Sequence, residues 1–224
     1  MEPAQNLSQF KEKLLIMASH AEGMVTRAVR AHLDRSEPAA KQALETDEII
    51  DKLEIQIDRI ALTLLAKKSS PFELRQITCG MKIAQNLERV GDEASTIARR
   101  SILLMSLPKL NAPLDIPLMT SLVNTMLKDA LDAFVVGNTL LARDIIPRDK
   151  KVDDLNDIYQ QELINLMEAE SKNIFRSVQH SVIIKSLERI GDHAKNIAEY
   201  VIYIVKGKDV RHVSIEEIQR EANS

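Results

Sequence analysis

The chain is 224 residues long, with 45% apolar, 28% charged and only 3% aromatic residues, and 30 Lys and Arg against 33 Asp and Glu. The near-balanced charge excludes a protein that coats nucleic acid, which needs a marked basic excess. A single cysteine, Cys79, excludes a disulfide framework and an all-cysteine zinc site. With 6 Gly, 7 Pro and no Trp, the composition suits long helices better than turn-rich sheet.

No stretch is apolar enough to cross a membrane. The longest uncharged run, residues 116–127, is 12 residues, against about 20 for a span. The opening residues, Met1 to Asn6, lack a basic segment followed by an apolar core, so no secretory signal is expected and a reducing, cytoplasmic setting follows.

The first element in chain order is an amphipathic helix over residues 6–33. Ser36 and Pro38 then suit a helix start. A second helix follows over 38–67, with Ile49, Ile50, Leu53, Ile57, Ile60 and Leu64 at helical spacing. Ser69-Ser70-Pro71 interrupts it, and a third helix runs from 71 to about 105. A Pro-rich linker (PKLNAPLDIP, 108–117) leads to helices expected at 116–136, 139–169 and 173–206. Pro147 falls inside the fifth and predicts a kink, because it cannot donate to the carbonyl of Arg143. The tail from 207 is polar and predicts a frayed end or a short helix.

The second half repeats the first. Residues 87–98 (LERVGDEASTIA) and 187–198 (LERIGDHAKNIA) share eight of twelve positions at an offset of 100. Residues 45–58 face 147–160 at an offset of 102, as Met17, Met24, Ala28 and Ala31 face Met119, Met126, Ala130 and Ala133. The expected fold is all-α: a tandem duplication of two three-helix bundles, 1–107 and 118–206, each packed up-down-up on an apolar seam that takes most of the Met and Ala residues. Cys79 reads as a small buried residue.

Four acid-x-x-x-acid pairs recur in register: Asp47 with Asp51, Glu88 with Asp92, Asp149 with Asp153, and Glu188 with Asp192. Residues i and i+4 share a helix face, where like charges cost roughly 0.2–0.5 kcal/mol. At about 100° per residue, Glu88 and Asp92 border the apolar stripe of Leu87, Val90, Ala94 and Ile97. A carboxylate pair from the middle helix can face them there. Four such carboxylates suit a hard cation such as Fe, Mn, Mg or Ca, or less selectively Zn. The alternative is a solvated acidic face. Gly91 and Gly191, mid-helix, predict close helix packing beside the site. Arg89 and Arg189 predict an ion pair or partner contact. His193 and Asn196 occur only in the second repeat, where Glu93 and Thr96 stand in the first. They predict either donors beside the second site or exposed polar groups. No phosphate-cradling Gly loop, nucleophile signature or Glu-x-x-His motif occurs, so no enzyme is expected.

The segments LERIGDHAKNIAEYVIYIVKGKDVRH (187–212) and LRQITCGMKIAQNLERVGDEASTIARR (74–100) resemble the two repeats of the PhoU family of phosphate-uptake regulators. The resemblance covers essentially the whole chain. It implies two pseudo-symmetric three-helix bundles and multinuclear iron or zinc clusters, with Mn or Mg as alternatives. One cluster would be held by Asp47, Asp51, Glu88 and Asp92, the other by Asp149, Asp153, Glu188 and Asp192. It further implies a non-enzymatic negative regulator at the inner membrane face, linking a phosphate ABC transporter to a sensor histidine kinase. A homodimer is expected, since long amphipathic helices often leave apolar surface. A metal-independent helical scaffold or adaptor is the alternative, and a carboxylate-bridged oxidase or hydrolase is disfavoured by the lack of inward His ligands.

Overall fold

The computed structural model describes residues 3–211, and among them six α-helices and no strand. They are α1 (Pro3–Asp34), α2 (Glu37–Leu65), α3 (Pro71–Met105), α4 (Ile116–Val136), α5 (Thr139–Ala169) and α6 (Ile174–Lys206). A 3₁₀ turn, Ser171–Asn173, precedes α6, so that helix begins one residue later than periodicity predicts. The polar tail beyond Arg211, where a short helix was one expectation, lies outside the described residues.

Short polar side chains set the helix starts. Ser36 Oγ accepts from the Ala39 amide, and Asp115 and Asn138 serve α4 and α5 in the same way. Ser70 and Glu73 form a reciprocal capping box: the Ser70 amide donates to Glu73 Oε2 at 2.7 Å and the Glu73 amide to Ser70 Oγ at 3.3 Å. Gly137 and Gly207 end α4 and α6 with φ of 66° and 72°. Arg35 ends α1 with φ 52°, the one positive-φ non-glycine among the described residues. For a side-chain-bearing residue that conformation costs roughly 1–2 kcal/mol. Helix α5 continues through Pro147.

α1–α3 form one bundle and α4–α6 the other. Met17, Met24, Ala28 and Ala31 are fully buried, as are their counterparts Met119, Met126, Ala130 and Ala133, so the duplicated apolar positions are core. Cys79 is buried and free. Among the described residues no helix is long and apolar enough to cross a membrane.

The bundles are joined chiefly along α3 and α6, with a lesser contact of α1 on α4. Polar groups fix the register of that seam. Asn86, buried on α3, donates to the Lys82 carbonyl at 2.8 Å and turns its Oδ1 to α6: His193 Nδ1 lies 2.9 Å from it, and Asn196 Nδ2 donates to the same oxygen at 3.2 Å. Arg189 of α6 pairs with Glu93 of α3 at 3.0 Å, and Arg100 of α3 donates to Gln179 of α6 at 3.3 Å. His193 and Asn196 are therefore neither site donors nor exposed groups; they bind one repeat to the other. Asn86→Ala removes the shared acceptor and leaves two part-buried donors unpaired. It should lower unfolding free energy by roughly 1–3 kcal/mol, read from urea denaturation.

Candidate functional site

Each quartet straddles the contact between its bundle's second and third helices. Gly91 and Gly191 let those helices approach. A Cβ on Gly91 would lie 3.1 Å from Ile50 Cδ1 and 3.5 Å from Asp47 Oδ1. One on Gly191 would lie 3.6 Å from Val152 Cγ1 and 3.7 Å from Asp149 Oδ1. Glycine at these positions thus brings the middle-helix aspartate against the third helix. Glu88 and Asp92 stand one turn apart on either side of Gly91, as Glu188 and Asp192 do around Gly191.

The inner member of each pair is the more buried. Asp149 and Glu188 are 3% and 8% exposed; Asp47 and Glu88 are half-buried, while Asp51 and Asp92 reach solvent. Burial and repulsion from neighbouring acids shift Asp51, Glu88, Asp153 and Asp192 upward. Glu88 is raised to about 7, first by burial and then by the Asp92 charge, with Glu54 and Asp51 adding to it against Arg89. Asp192 is raised to about 6 by burial and then by Asp149, Glu188 and Asp153. Burial lifts Asp51, helped by Asp47 and Asp92, and Asp153, helped by Asp149 and Glu188. Each quartet therefore shares one field across two helices.

The side chains do not close into a coordination sphere as they stand. Among the described residues no group of three or more His, Cys, Asp or Glu is disposed to hold a metal ion. Basic side chains occupy part of the space instead. Lys195 Nζ sits 2.6 Å from Asp149 Oδ2, and Lys185 Nζ 2.6 Å from Glu188 Oε1. In the first repeat Arg89 spans Glu88 and Asp92 at 3.4 and 3.2 Å, and Arg99 lies 3.8 Å from Asp47. The opposite oxygens of the inner pair in the second repeat, Asp149 Oδ1 and Glu188 Oε2, are buried with no hydrogen-bond partner. An unpartnered buried carboxylate oxygen is costly. Two of them, one from each helix of the seam, fit a hard cation, and in that respect the donor set suits the metal.

Several participants escape the sequence pattern. Glu54 enters the field of Asp51 and Asp92, and burial raises it; its place three residues after Asp51, on the same helix face, is the only signal. Its counterpart is the buried Asn156, so the repeats differ by one charge here. Lys195 stands where the first repeat has Ser95, and Lys185 three residues before Glu188. Arg89 and Arg189 share a motif position yet differ in use: Arg89 pairs within its own quartet, Arg189 with the other repeat.

A family model described as PhoU domain matches residues 14–101 and 116–201. A curated relative from Pseudomonas aeruginosa, a phosphate-specific transport system accessory protein PhoU homolog, is 36% identical over 222 residues, covering 97% of this chain and 91% of that protein. One of the same description from Aquifex aeolicus is 34% identical, covering 95% and 97%. The crystal structure of PhoU from Pseudomonas aeruginosa superposes with a TM-score of 0.89 at 36% identity, covering 92% of this chain and 100% of that one. The phosphate transport system regulatory protein PhoU from Streptococcus pneumoniae superposes with a TM-score of 0.85 at 25% identity, covering 93% and 99%.

The raised carboxyls set a pH dependence for metal-free protein. Glu88 and Asp192 titrate higher folded than unfolded, so the unfolded chain releases their protons first as pH rises. Their contribution to stability is full below about pH 4 and is lost as pH climbs to about 7. The thermal midpoint in chelator should fall over that range, and Glu88→Gln should flatten the fall.

Proposed function

The chain belongs to the PhoU family, and on that footing we propose that it is an accessory regulator of phosphate transport that binds cations through its two acidic quartets. The relatives' descriptions support the transport role. The observation that carries the cation role is the pair of unpartnered buried oxygens, Asp149 Oδ1 and Glu188 Oε2, from the two helices of one seam. On this reading Asp149, Glu188, Asp153 and Asp192 hold one site, and Asp47, Asp51, Glu88 and Asp92 the other. Iron or zinc is the proposed metal class, with manganese or magnesium as alternatives. Bound cations supply positive charge between two helices whose acids repel. The protein's own part is to hold α2 against α3 and α5 against α6 so that the acids meet. Lys185 and Lys195 must release their carboxylates for the cation to enter, so occupancy changes the charge of the α5–α6 surface.

The proposal extends to partners: a phosphate ABC transporter and a sensor histidine kinase at the inner face of the membrane, and a second copy of the chain. Apolar side chains left exposed on α1, α3, α4 and α6, among them Leu15, Phe72, Val135, Val136 and Val205, support contact with other chains. The adaptor carries no catalytic step; it presents surfaces that differ with site occupancy.

A metal-independent adaptor is the second reading, favoured by the lysines and arginines that already partner the acids. Elemental analysis separates the two. Protein purified without chelator should carry metal, and Asp149→Asn with Glu188→Gln should remove the second-repeat share while leaving the first. Metal content unchanged in that variant would reject the ligand assignment, and metal-free wild type after reconstitution would favour the adaptor without metal.

A further inference from the structure

The junction of the two repeats holds a cationic cleft remote in charge and composition from the acidic seams. It has a volume of about 170 Å³ and is lined by His32, Arg35, Ser101, Lys109 and His180, with Met105 among its apolar walls. A single water needs roughly 10–15 Å³ on such a measure, so the cleft has room for a four-oxygen anion. Four parts of the chain build it: the ends of α1 and α3, the linker and the first turns of α6.

Among the described residues its charges have no counter-ion. Arg35 Nη2 donates to the carbonyls of Leu104, Met105 and Leu107 at 2.9, 2.6 and 2.6 Å, and its Nε and Nη1 take no partner among the described residues. Arg176 pins the linker through the carbonyls of Pro108 and Lys109 and binds Asn173. Among the described residues neither arginine nor Lys109 pairs with a carboxylate, and Asp34, the acid beside Arg35, is turned to Arg30 at the surface. Arg35 also holds its left-handed backbone conformation, φ 52°, where glycine would be unstrained.

The two imidazoles meet edge to face, with centroids 5.2 Å apart. His180 Nδ1–H donates to the Arg176 carbonyl at 2.8 Å, which leaves Nε2 as an acceptor. His32 Nδ1 is buried with no partner. Burial lowers both histidines, His32 to about 4. His32 is held down further by His180 and Arg35; for His180 the hydrogen bond to the Arg176 carbonyl works against burial, while the Arg176 and Arg35 charges add to it, and no acid among the described residues opposes them. At neutral pH the cleft thus offers a guanidinium and an ammonium as donors beside neutral imidazole nitrogens as acceptors.

We propose that this cleft binds inorganic phosphate, with Arg35 and Lys109 on its unprotonated oxygens and an imidazole nitrogen of the His32–His180 pair, His180 Nε2 first, accepting from its remaining O–H. Sulfate is fully unprotonated at neutral pH, and a phosphomonoester largely so, because its second proton leaves near pH 6. Neither presents that O–H to both cation and acceptor, so the donor set distinguishes free phosphate from both. The choice of phosphate deepens the reading of the chain as a regulator of phosphate transport. The cleft is separate from the acidic quartets.

The test is titration of inorganic phosphate, sulfate and phosphoserine into the full chain in chelator at neutral pH, followed by the imidazole NMR resonances of His32 and His180. Phosphate at millimolar concentration should move both saturably, with sulfate and phosphoserine weaker by about tenfold or more. Arg35→Gly suits the positive φ, so it should fold, and it should weaken phosphate by about tenfold or more; His180→Gln should act likewise without touching Arg35. Unmoved resonances, equal shifts with sulfate, or an unaltered titration in both variants would overturn the proposal. Metal content read on protein of the same preparation before chelator is added reports the quartets separately, so a null phosphate titration leaves the cation reading standing.

Discussion

Repulsion among carboxylates held at helix seams is the constraint around which this structure is arranged. Two glycines, Gly91 and Gly191, let the middle helix of each bundle come close enough for its aspartate to lie against the third helix. That approach creates apolar contacts at Ile50 and Val152, and it places like charges in one field. Glu88 and Asp192 are raised by burial first and by the neighbouring acids after it. A purely structural protein relieves such conflict by exchanging an acid for a neutral residue. Here the acids recur in register in both repeats, although between those of the middle helices the residues differ, Glu48-Ile49-Ile50 against Lys150-Lys151-Val152. Local basic groups offset part of the repulsion, Arg89 and Arg99 in one repeat and Lys185 and Lys195 in the other.

The repeats answer the constraint differently. In the second, the inner acids are nearly dry and each has one oxygen on a lysine and one unpartnered. In the first, the outer acids reach solvent, the basic partners are arginines, and Glu54 adds a carboxylate where the second repeat has Asn156. A buried lysine-carboxylate pair leaves an uncompensated charge if either member is lost, so the second repeat is the more tightly poised. The first, wetter and more acidic, is the more open to exchange with solvent ions. Duplication has produced two seams of one design and different electrostatic stiffness.

Much of this is legible in the chain. Ser36 and Ser70-Pro71 mark helix starts because capping is local chemistry, and α3, α4 and α5 span the residues expected of them. The all-α class and the duplicated core follow from period and repeat. The acid pairs are legible as pairs, since i and i+4 share a face. What they meet across space is not. The link from Asn86 to His193 and Asn196 spans more than a hundred residues and has no period to betray it. Lys195 reads as an ordinary surface lysine until α5 packs beside α6. The cationic cleft is equally hidden, because His32 and Arg35 at the end of α1, Lys109 in the linker and His180 on α6 meet only once the repeats dock.

Helix α6 ties these features together. His180 precedes Glu188 by eight residues, a rise of about 12 Å at about 1.5 Å per residue, and Asn196 lies eight further on. One rigid rod therefore carries a wall of the cationic cleft, the inner acids of the second seam and the polar clasp to the first repeat. A helix so constrained at three levels moves as a unit or hardly at all. Any displacement of α6 that draws Lys195 from Asp149 on α5 is shared with His180 at one end and with Asn86 at the other. Coupling between sites must be reciprocal in free energy. If cation occupancy shifts α6, anion affinity in the cleft changes by the same factor that anion occupancy changes cation affinity. The fold thus places one helix in contact with both proposed sites, which is the physical element that coupling between them would require.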